Sequence, residues 1–331
     1  MKYKSAYVIM KAMPFHLGHK YLIDTAINYS KKVTVLVGSL NSDPIPGEIR
    51  YQWVKETYKN NNNVIVKWCN EDLPQYPEEH EDFWNIWVDV AKRYCPSDID
   101  VIFTSENYGD PYAKHLGIKH YLVDLERKNY PISGTLSRAE TFKYWNYLPD
   151  IVKPYFVKRI AIMGPESTGK SNLSINLAKY YNTQYVEEYG RTVYEENGNH
   201  VSIEDFIKIS LGRQKIEDEK LKISNKILFC DTEDITTYYL CKEYYPNTWI
   251  ENKDFFEKKI SNKNYDLYIL LKPDCEGVQD GTRCFLHHRD AHYQIIKDLL
   301  IQKNCNFVEI GGDWDNRFNL SINKINENFF S

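Results

Sequence analysis

The sequence predicts an α/β protein of two doubly wound parallel-sheet domains, and three observations carry that prediction. Short β-branched or apolar runs alternate with amphipathic stretches along the whole chain, the signature of parallel strands joined by covering helices. The alternation restarts near the middle, after a segment punctuated by two prolines. The 331 residues exceed one ordinary core and suit two domains of about 150 residues each.

In the first half the expected strands are Ala6 to Met10, Val33 to Val37, Val64 to Trp68, Val101 to Phe103 and Tyr121 to Val123. In the second half they are Ile160 to Met163, Ile227 to Cys230, Leu267 to Leu271 and Phe307 to Ile310. Helical spacing places a helix over Lys20 to Ser30 and another over Asn172 to Tyr180. Pro149 and Pro154 disfavour helix in the residues before them, so the connector is set near residue 152, giving domains 1–152 and 153–331. The run Asn60 to Asn63 reads as a loop before the third strand.

Composition narrows the function. With 42 Lys+Arg against 46 Asp+Glu the net charge is -4, which offers no basic surface for a nucleic-acid backbone, so nucleic acid is not an expected partner. No apolar run reaches the roughly 18 residues of a membrane span, and the amino-terminal segment lacks a small-residue cleavage site. Seven cysteines without a CxxC pair fit reduced thiols in a cytoplasmic protein. Cys284, His287 and His288 cluster in sequence but lack the further ligands of a closed zinc site.

The first strand runs directly into Pro14-Phe-His16-Leu-Gly18-His19 and then a helix. A strand-to-helix turn lies at the carboxyl end of a parallel sheet, where ligands bind and where a helix amino end favours phosphate. Two histidines three apart can present imidazoles toward one point, and Gly18 permits close backbone approach. The turn therefore reads as a polyphosphate site.

These residues resemble the HxGH signature of the nucleotidyltransferases, and Ile132-Ser133-Gly134-Thr135-Leu136-Ser137-Arg138 resembles the same class's ISGTxIR element. The resemblance implies a Rossmann-like domain in which a mononucleotide phosphate attacks the α-phosphorus of ATP in line and pyrophosphate leaves. It implies that Lys11, His16, His19, Arg138 and Mg²⁺ share the neutralisation of phosphate charge, with Pro14, Gly18, Ser105, Ser133 and Thr135 contacting ATP. Trp84-x-x-Trp87, Thr104-Ser105-Glu106, Val123-Asp124-x-x-Arg127 and Phe142-x-Tyr144-Trp145 resemble the bifunctional NadR subgroup, which implies that Trp87 stacks on nicotinamide and that Asp124 and Arg127 bind substrate. Met10 and Ala12 depart from the glycine and aromatic usual in the class.

The second half opens on Ile160 to Met163, Gly164-Pro-Glu166-Ser167-Thr168-Gly169-Lys170-Ser171 and a helix, the strand-loop-helix context that a GxxxxGK[ST] phosphate loop requires. Its N–H groups cradle phosphates, Lys170 reaches the β and γ oxygens, and Ser171 ligates Mg²⁺. The second metal contact expected is Asp231 at the end of Ile227 to Cys230, which could instead activate the acceptor hydroxyl, with Glu233 as the alternative residue or an ordinary helix cap. Arg283, in a basic stretch that ends at Arg289, is the candidate lid arginine.

Gly164 to Ser171, Glu188-Tyr189-Gly190-Arg191, Asp231-Thr232, Asp280-Gly-x-Arg283 and Asp313-x-Asp315-x-Arg317-Phe318 resemble, in order, the ribosylnicotinamide kinase domain of NadR. The resemblance implies phosphorylation of nicotinamide riboside by ATP, with Glu188, Tyr189 and Arg191 at the acceptor. Gly277, Thr192 and Glu233 depart from the family pattern. Together the two halves imply an enzyme that makes NAD from nicotinamide riboside and two ATP. Phosphorylation of another nucleoside, or NAD and ATP sensing at a first site that no longer turns over, stay open. A helix-turn-helix domain is not expected before a strand that starts near residue 6, and the oligomeric state, a homo-oligomer included, is left open.

Overall fold

The computed structural model describes residues 2–262, 264–277 and 288–330. Its contacts divide the chain into two compact units, Met1–Tyr155 and Phe156–Ser331.

The first unit holds β1 (Tyr3–Met10), β2 (Ser30–Ser39), β3 (Val64–Asn70), β4 (Val101–Thr104) and β5 (Lys119–Leu122). Its helices are α1 (Leu17–Tyr29), α2 (Gly47–Tyr58), α3 (Phe83–Tyr94), α4 (Gly109–Leu116) and α5 (Gly134–Ala139). All strands are parallel, in the order β3-β2-β1-β4-β5. The order reverses between β1 and β4, which opens a crevice at their carboxyl ends, the place where doubly wound sheets take ligands. Tyr7, Leu36 and Ile102 from three strands pack against Val90 and Ala91 of α3 and Tyr112 and Ala113 of α4. Each such burial contributes about 1.5–3 kcal/mol before entropy is counted. β3 lies at the sheet edge and alternates between more and less exposed residues from Val64 to Trp68, while the central β1 and β2 are mostly buried on both faces.

The second unit holds β6 (Lys158–Met163), β7 (Gln184–Val186), β8 (Ile227–Asp231), β9 (Leu267–Leu271) and β10 (Phe307–Ile310). Its helices are α6 (Lys170–Tyr180), α7 (Tyr189–Glu196), α8 (Ile203–Leu221), α9 (Asp234–Tyr244), α10 (Lys253–Ser261), α11 (Arg289–Gln302) and α12 (Trp314–Phe329). The parallel sheet runs β10-β9-β6-β8-β7. Every residue of β8 and β9 is buried, which explains the apolar runs Ile227 to Cys230 and Leu267 to Leu271. Ile160, Ile162, Phe229 and Ile269 form one core with Leu177 of α6 and Ile325 of α12.

Each strand expected from the sequence is present, and β7 is an addition. Three residues at a sheet edge are too few to show a period. α1 and α6 begin at Leu17 and Lys170, earlier than expected, because the phosphate-binding turns themselves supply the helix amino ends. Among the described residues no helix is long and apolar enough to cross a membrane.

Candidate active sites

At the first turn, Ala12 adopts φ 49° and the Met13–Pro14 peptide is cis. His16 is the N-cap of α1: its Nδ1 accepts from the His19 N–H at 3.3 Å, while the His19 Nδ1 accepts from the His16 N–H at 3.4 Å. This is a reciprocal capping box with imidazoles in place of hydroxyl and carboxylate. An Nδ1 that accepts carries no proton, so each neutral ring carries it on Nε2 and both Nε2–H groups are donors. The rings stack with centroids 3.7 Å apart.

Burial, then the neighbouring His19 and Arg127, hold His16 far below its ordinary range. Burial and Arg127 bring His19 down to about 3. Both imidazoles are therefore neutral near pH 7 in the free protein. They offer hydrogen bonds, and Arg127 is the cation within electrostatic reach of both.

The second motif packs onto this turn. A Cβ on Gly18 would stand 3.0 Å from the His16 ring and 3.5 Å from Ile132, and one on Gly134 would stand 2.6 Å from the Met13 carbonyl oxygen. Both glycines permit the contact. Ser133 caps α5 by accepting from the Leu136 N–H at 3.2 Å, and Arg138 donates to the Met13 carbonyl and, at 3.5 Å, to Thr135. Motifs from the two ends of the domain thus pack against each other, and Ser105 directly follows β4.

The remaining substrate candidates are placed differently from one another. Arg127 reaches Glu106 at 3.5 Å and acts electrostatically on both histidines. Asp124 is engaged by its own loop, accepting from the Lys128 and Asn129 N–H groups at 2.8 and 3.0 Å. Trp87 is half-buried, and its Nε1 donates to the Pro74 carbonyl on the loop after β3 at 3.0 Å. Trp84 stacks on His115.

In the second unit the phosphate loop links β6 to α6. Gly164 (φ 143°) and Gly169 (φ 84°) occupy backbone regions that favour glycine, and a Cβ on Gly169 would stand 2.0 Å from Trp314. Thr168 donates to the Pro165 carbonyl at 2.8 Å, and Lys170 Nζ rests on the same oxygen at 3.1 Å. Ser171 Oγ, in the first turn of α6, donates to Asp231 Oδ2 at the end of β8 at 2.5 Å. Among the described residues Asp231 Oδ1 is buried without a hydrogen-bond partner, so a hard cation beside Ser171 would fill a vacant acceptor.

Burial, then the nearby Glu188 carboxylate, push Asp231 up to about 6 against the opposing pull of Lys170, Ser171 and Arg191. Glu188 and Arg191 therefore lie within electrostatic reach of Asp231, 4.0 Å from each other. Tyr189 packs its ring onto Gly212, whose Cβ would meet it at 2.1 Å. Glu233 is a cap, accepting from the Ile235 and Thr236 N–H groups at 2.5 and 2.7 Å, which removes it as the alternative to Asp231. Arg283, with Cys284 and His287, lies outside the described residues.

Three arginines escaped sequence reasoning because their partners are distant in the chain. Buried Arg50 of α2 donates to the Lys11 carbonyl at 2.7 Å and pairs with Asp43 at 2.6 Å, fixing the entry to the first turn. Buried Arg317 donates to the carbonyls of Thr168 (2.9 Å), Gly312 (2.7 Å) and Lys272 (3.0 Å), and pairs with Asp274, tying the phosphate loop to the end of β9. Arg289 donates to the Cys275 carbonyl at 2.8 Å and to Ser167 at 3.5 Å. Two of them carried a partial signal: Arg317 by its place in a resembling motif, and Arg289 as the end of the basic stretch read as suited to an acceptor pocket and a lid.

Two curated relatives are each named "Trifunctional NAD biosynthesis/regulator protein NadR". The one from Salmonella typhimurium strain LT2 is 32% identical over 347 residues, covering 97% of this chain and 82% of its own length. The chain belongs to the NadR family. The relative from Escherichia coli strain K12 is also 32% identical, with the same coverage. A family model described as a citrate lyase ligase C-terminal domain matches residues 5–127, and one described as an AAA domain matches 159–317. The fold is that of NadR crystallised with NAD and AMP-PNP, at TM-score 0.83 and 20% identity, covering 99% of this chain and 96% of that one. NadR crystallised with NR matches equally well, at TM-score 0.83 and 20% identity over 99% of this chain and 97% of that one.

Proposed function

We infer that this NadR-family enzyme phosphorylates nicotinamide riboside with ATP at the phosphate loop and adenylylates the resulting mononucleotide at the histidine turn, giving NAD and pyrophosphate. The observation that carries the reading is the pair of polyphosphate cradles, each at the carboxyl end of the strand where its parallel sheet reverses order, in a chain of this family. The names of the relatives and the NAD, AMP-PNP and NR bound in the NadR structures support the substrates.

At the kinase site Lys170 leaves the Pro165 carbonyl for the β and γ oxygens, and the loop N–H groups orient the chain of phosphates. Ser171 and Asp231 would hold Mg²⁺, which when bound supplies further neutralisation of phosphate charge. Glu188, Tyr189 and Arg191 line the acceptor side, and the riboside 5′-oxygen attacks the γ-phosphorus as ADP leaves; Arg283 is the candidate for the developing charge. At the transferase site the two Nε2–H donors hold phosphate oxygens while Lys11, Arg127 and Arg138 supply charge, and the mononucleotide oxygen attacks the α-phosphorus. Pro14, Gly18, Ser105, Ser133 and Thr135 shape the ATP side, with Trp87 at the nicotinamide ring. The protein is read as cytoplasmic, with small-molecule partners.

Incubation with ATP, Mg²⁺ and nicotinamide riboside, followed by chromatography, tests both halves. The reading requires ADP and mononucleotide first and NAD with pyrophosphate after; neither product appearing would overturn it.

A further inference from the structure

Helix α8 carries a buried ionic cluster that takes no part in holding phosphate. Arg213 is 2% exposed; its guanidinium pairs with Asp234 at the start of α9, stands 3.3 Å from Glu217 and donates to Thr237 Oγ1 at 3.2 Å. Ser210, almost one turn earlier on α8, donates to the same Asp234 oxygen at 2.6 Å. Glu217 also accepts from the Tyr265 hydroxyl at 2.6 Å and from Arg159 at 3.2 Å. Thr237 Oγ1 in turn donates to the Glu233 carbonyl at 3.0 Å, so the cluster reaches the turn that follows Asp231. The same stretch of α8 supports α7: the Tyr189 ring packs on Gly212, and a Cβ on Gly190 would stand 3.7 Å from Ile209.

Buried ion pairs are a poor source of stability, since apolar side chains of similar volume often serve as well or better. What this cluster supplies is geometry. We propose that Arg213 is a positioning residue of the kinase: with Ser210 it fixes the turn from β8 into α9, and so the Asp231 carboxylate, relative to α7, which carries Tyr189 and Arg191 on the acceptor side. One helix, α8, thereby sets the gap between acceptor and acid. Glu188 and Arg191 act electrostatically on Asp231, so the two sides of that gap are close. A reacting group misplaced by about 1 Å costs roughly 10²-fold in rate. A loosened turn therefore lowers turnover and spares ATP binding, which rests on the phosphate loop and Lys170. The inference rests on the kinase reading and deepens it by naming what holds the site to its spacing.

ADP release with nicotinamide riboside as acceptor reads the kinase, and pyrophosphate release from ATP and added mononucleotide reads the first unit. Arg213→Lys keeps a charge opposite Glu217 and Asp234 but cannot reach Asp234 and Thr237 together. It is expected to lower kcat for ADP release about 10²-fold, with the KM for ATP and pyrophosphate release unchanged. Ser210→Ala removes one neutral hydroxyl and leaves the Arg213–Asp234 pair in place, so it lowers the same kcat by less, and it alone decides if Arg213→Lys does not fold. A merely structural role would lower Tm and leave kcat of the folded protein as it was. That result in the folded variants, or a rise in the KM for ATP as large as the fall in kcat, overturns the proposal. An unsubstituted protein that releases no ADP overturns the kinase reading beneath it.

Discussion

Replacing Arg50 by alanine strips the first site of an anchor that no motif reveals. Arg50 is fully buried, and it satisfies the Lys11 carbonyl at 2.7 Å, the Gly38 carbonyl at 3.3 Å and the Asp43 carboxylate at 2.6 Å. Burial alone would raise the Asp43 pKa, yet the Leu40 N–H and Arg50 hold it below its ordinary range. Without the guanidinium a nearly buried carboxylate keeps only the Leu40 N–H, and the Lys11 carbonyl loses its donor. Removing one partner of a buried pair costs about 3–5 kcal/mol. For a domain of this size that lowers Tm by roughly 6–20 °C. Thermal unfolding of Arg50→Ala and of Arg50→Ala/Asp43→Asn measures it, because the second substitution neutralises the orphaned charge and is expected to restore stability. Pyrophosphate release from ATP and added mononucleotide falls, and ADP release persists. A loss below about 1 kcal/mol in Arg50→Ala, or a double variant weaker than the single one, would refute the reasoning.

Three further predictions address other parts of the two sites. In the free protein His16 and His19 stay neutral from pH 8 to 5, with His19 protonating near 3, so their ring carbons show no NMR titration in that range; a midpoint near 6.5 contradicts this. The unfolded chain protonates these histidines below its ordinary value, so their contribution to stability is present above pH 6.5 and is lost as pH falls toward about 3. Asp231→Asn abolishes ADP release yet stabilises the metal-free protein at pH 7.5 by on the order of 1–3 kcal/mol, read by thermal unfolding. The sign follows from a folded pKa of about 6 against 3.8: stability linked to this carboxyl is present below 3.8 and lost as pH rises through 6. Gly134→Ala, whose Cβ would stand 2.6 Å from the Met13 carbonyl, displaces α5 and Arg138 and lowers adenylyl transfer about 10²-fold while ADP release is kept.

What was legible in the sequence was local. The histidine turn and the glycine loop each sit in one short run between a strand and a helix, so spacing alone exposed both, and buried strands such as β8 and β9 announced themselves by the apolar runs Ile227 to Cys230 and Leu267 to Leu271. The arginine clamps were not legible, because Arg50, Arg289 and Arg317 act on carbonyls brought near only by the fold. The tautomer of the histidines was hidden for a related reason: it depends on which ring nitrogen the backbone N–H groups reach. The sequence left Glu233 open between a second acid and a helix cap, and the direction of its carboxylate, onto the α9 amino end, decides for the cap.

Separating the two activities by substitution tests the claim of two polyphosphate sites most directly. Lys170→Ala, given ATP and nicotinamide riboside, is expected to release no ADP yet to form NAD and pyrophosphate from added mononucleotide, and His19→Ala is expected to do the reverse. Loss of both activities in either folded variant would contradict it.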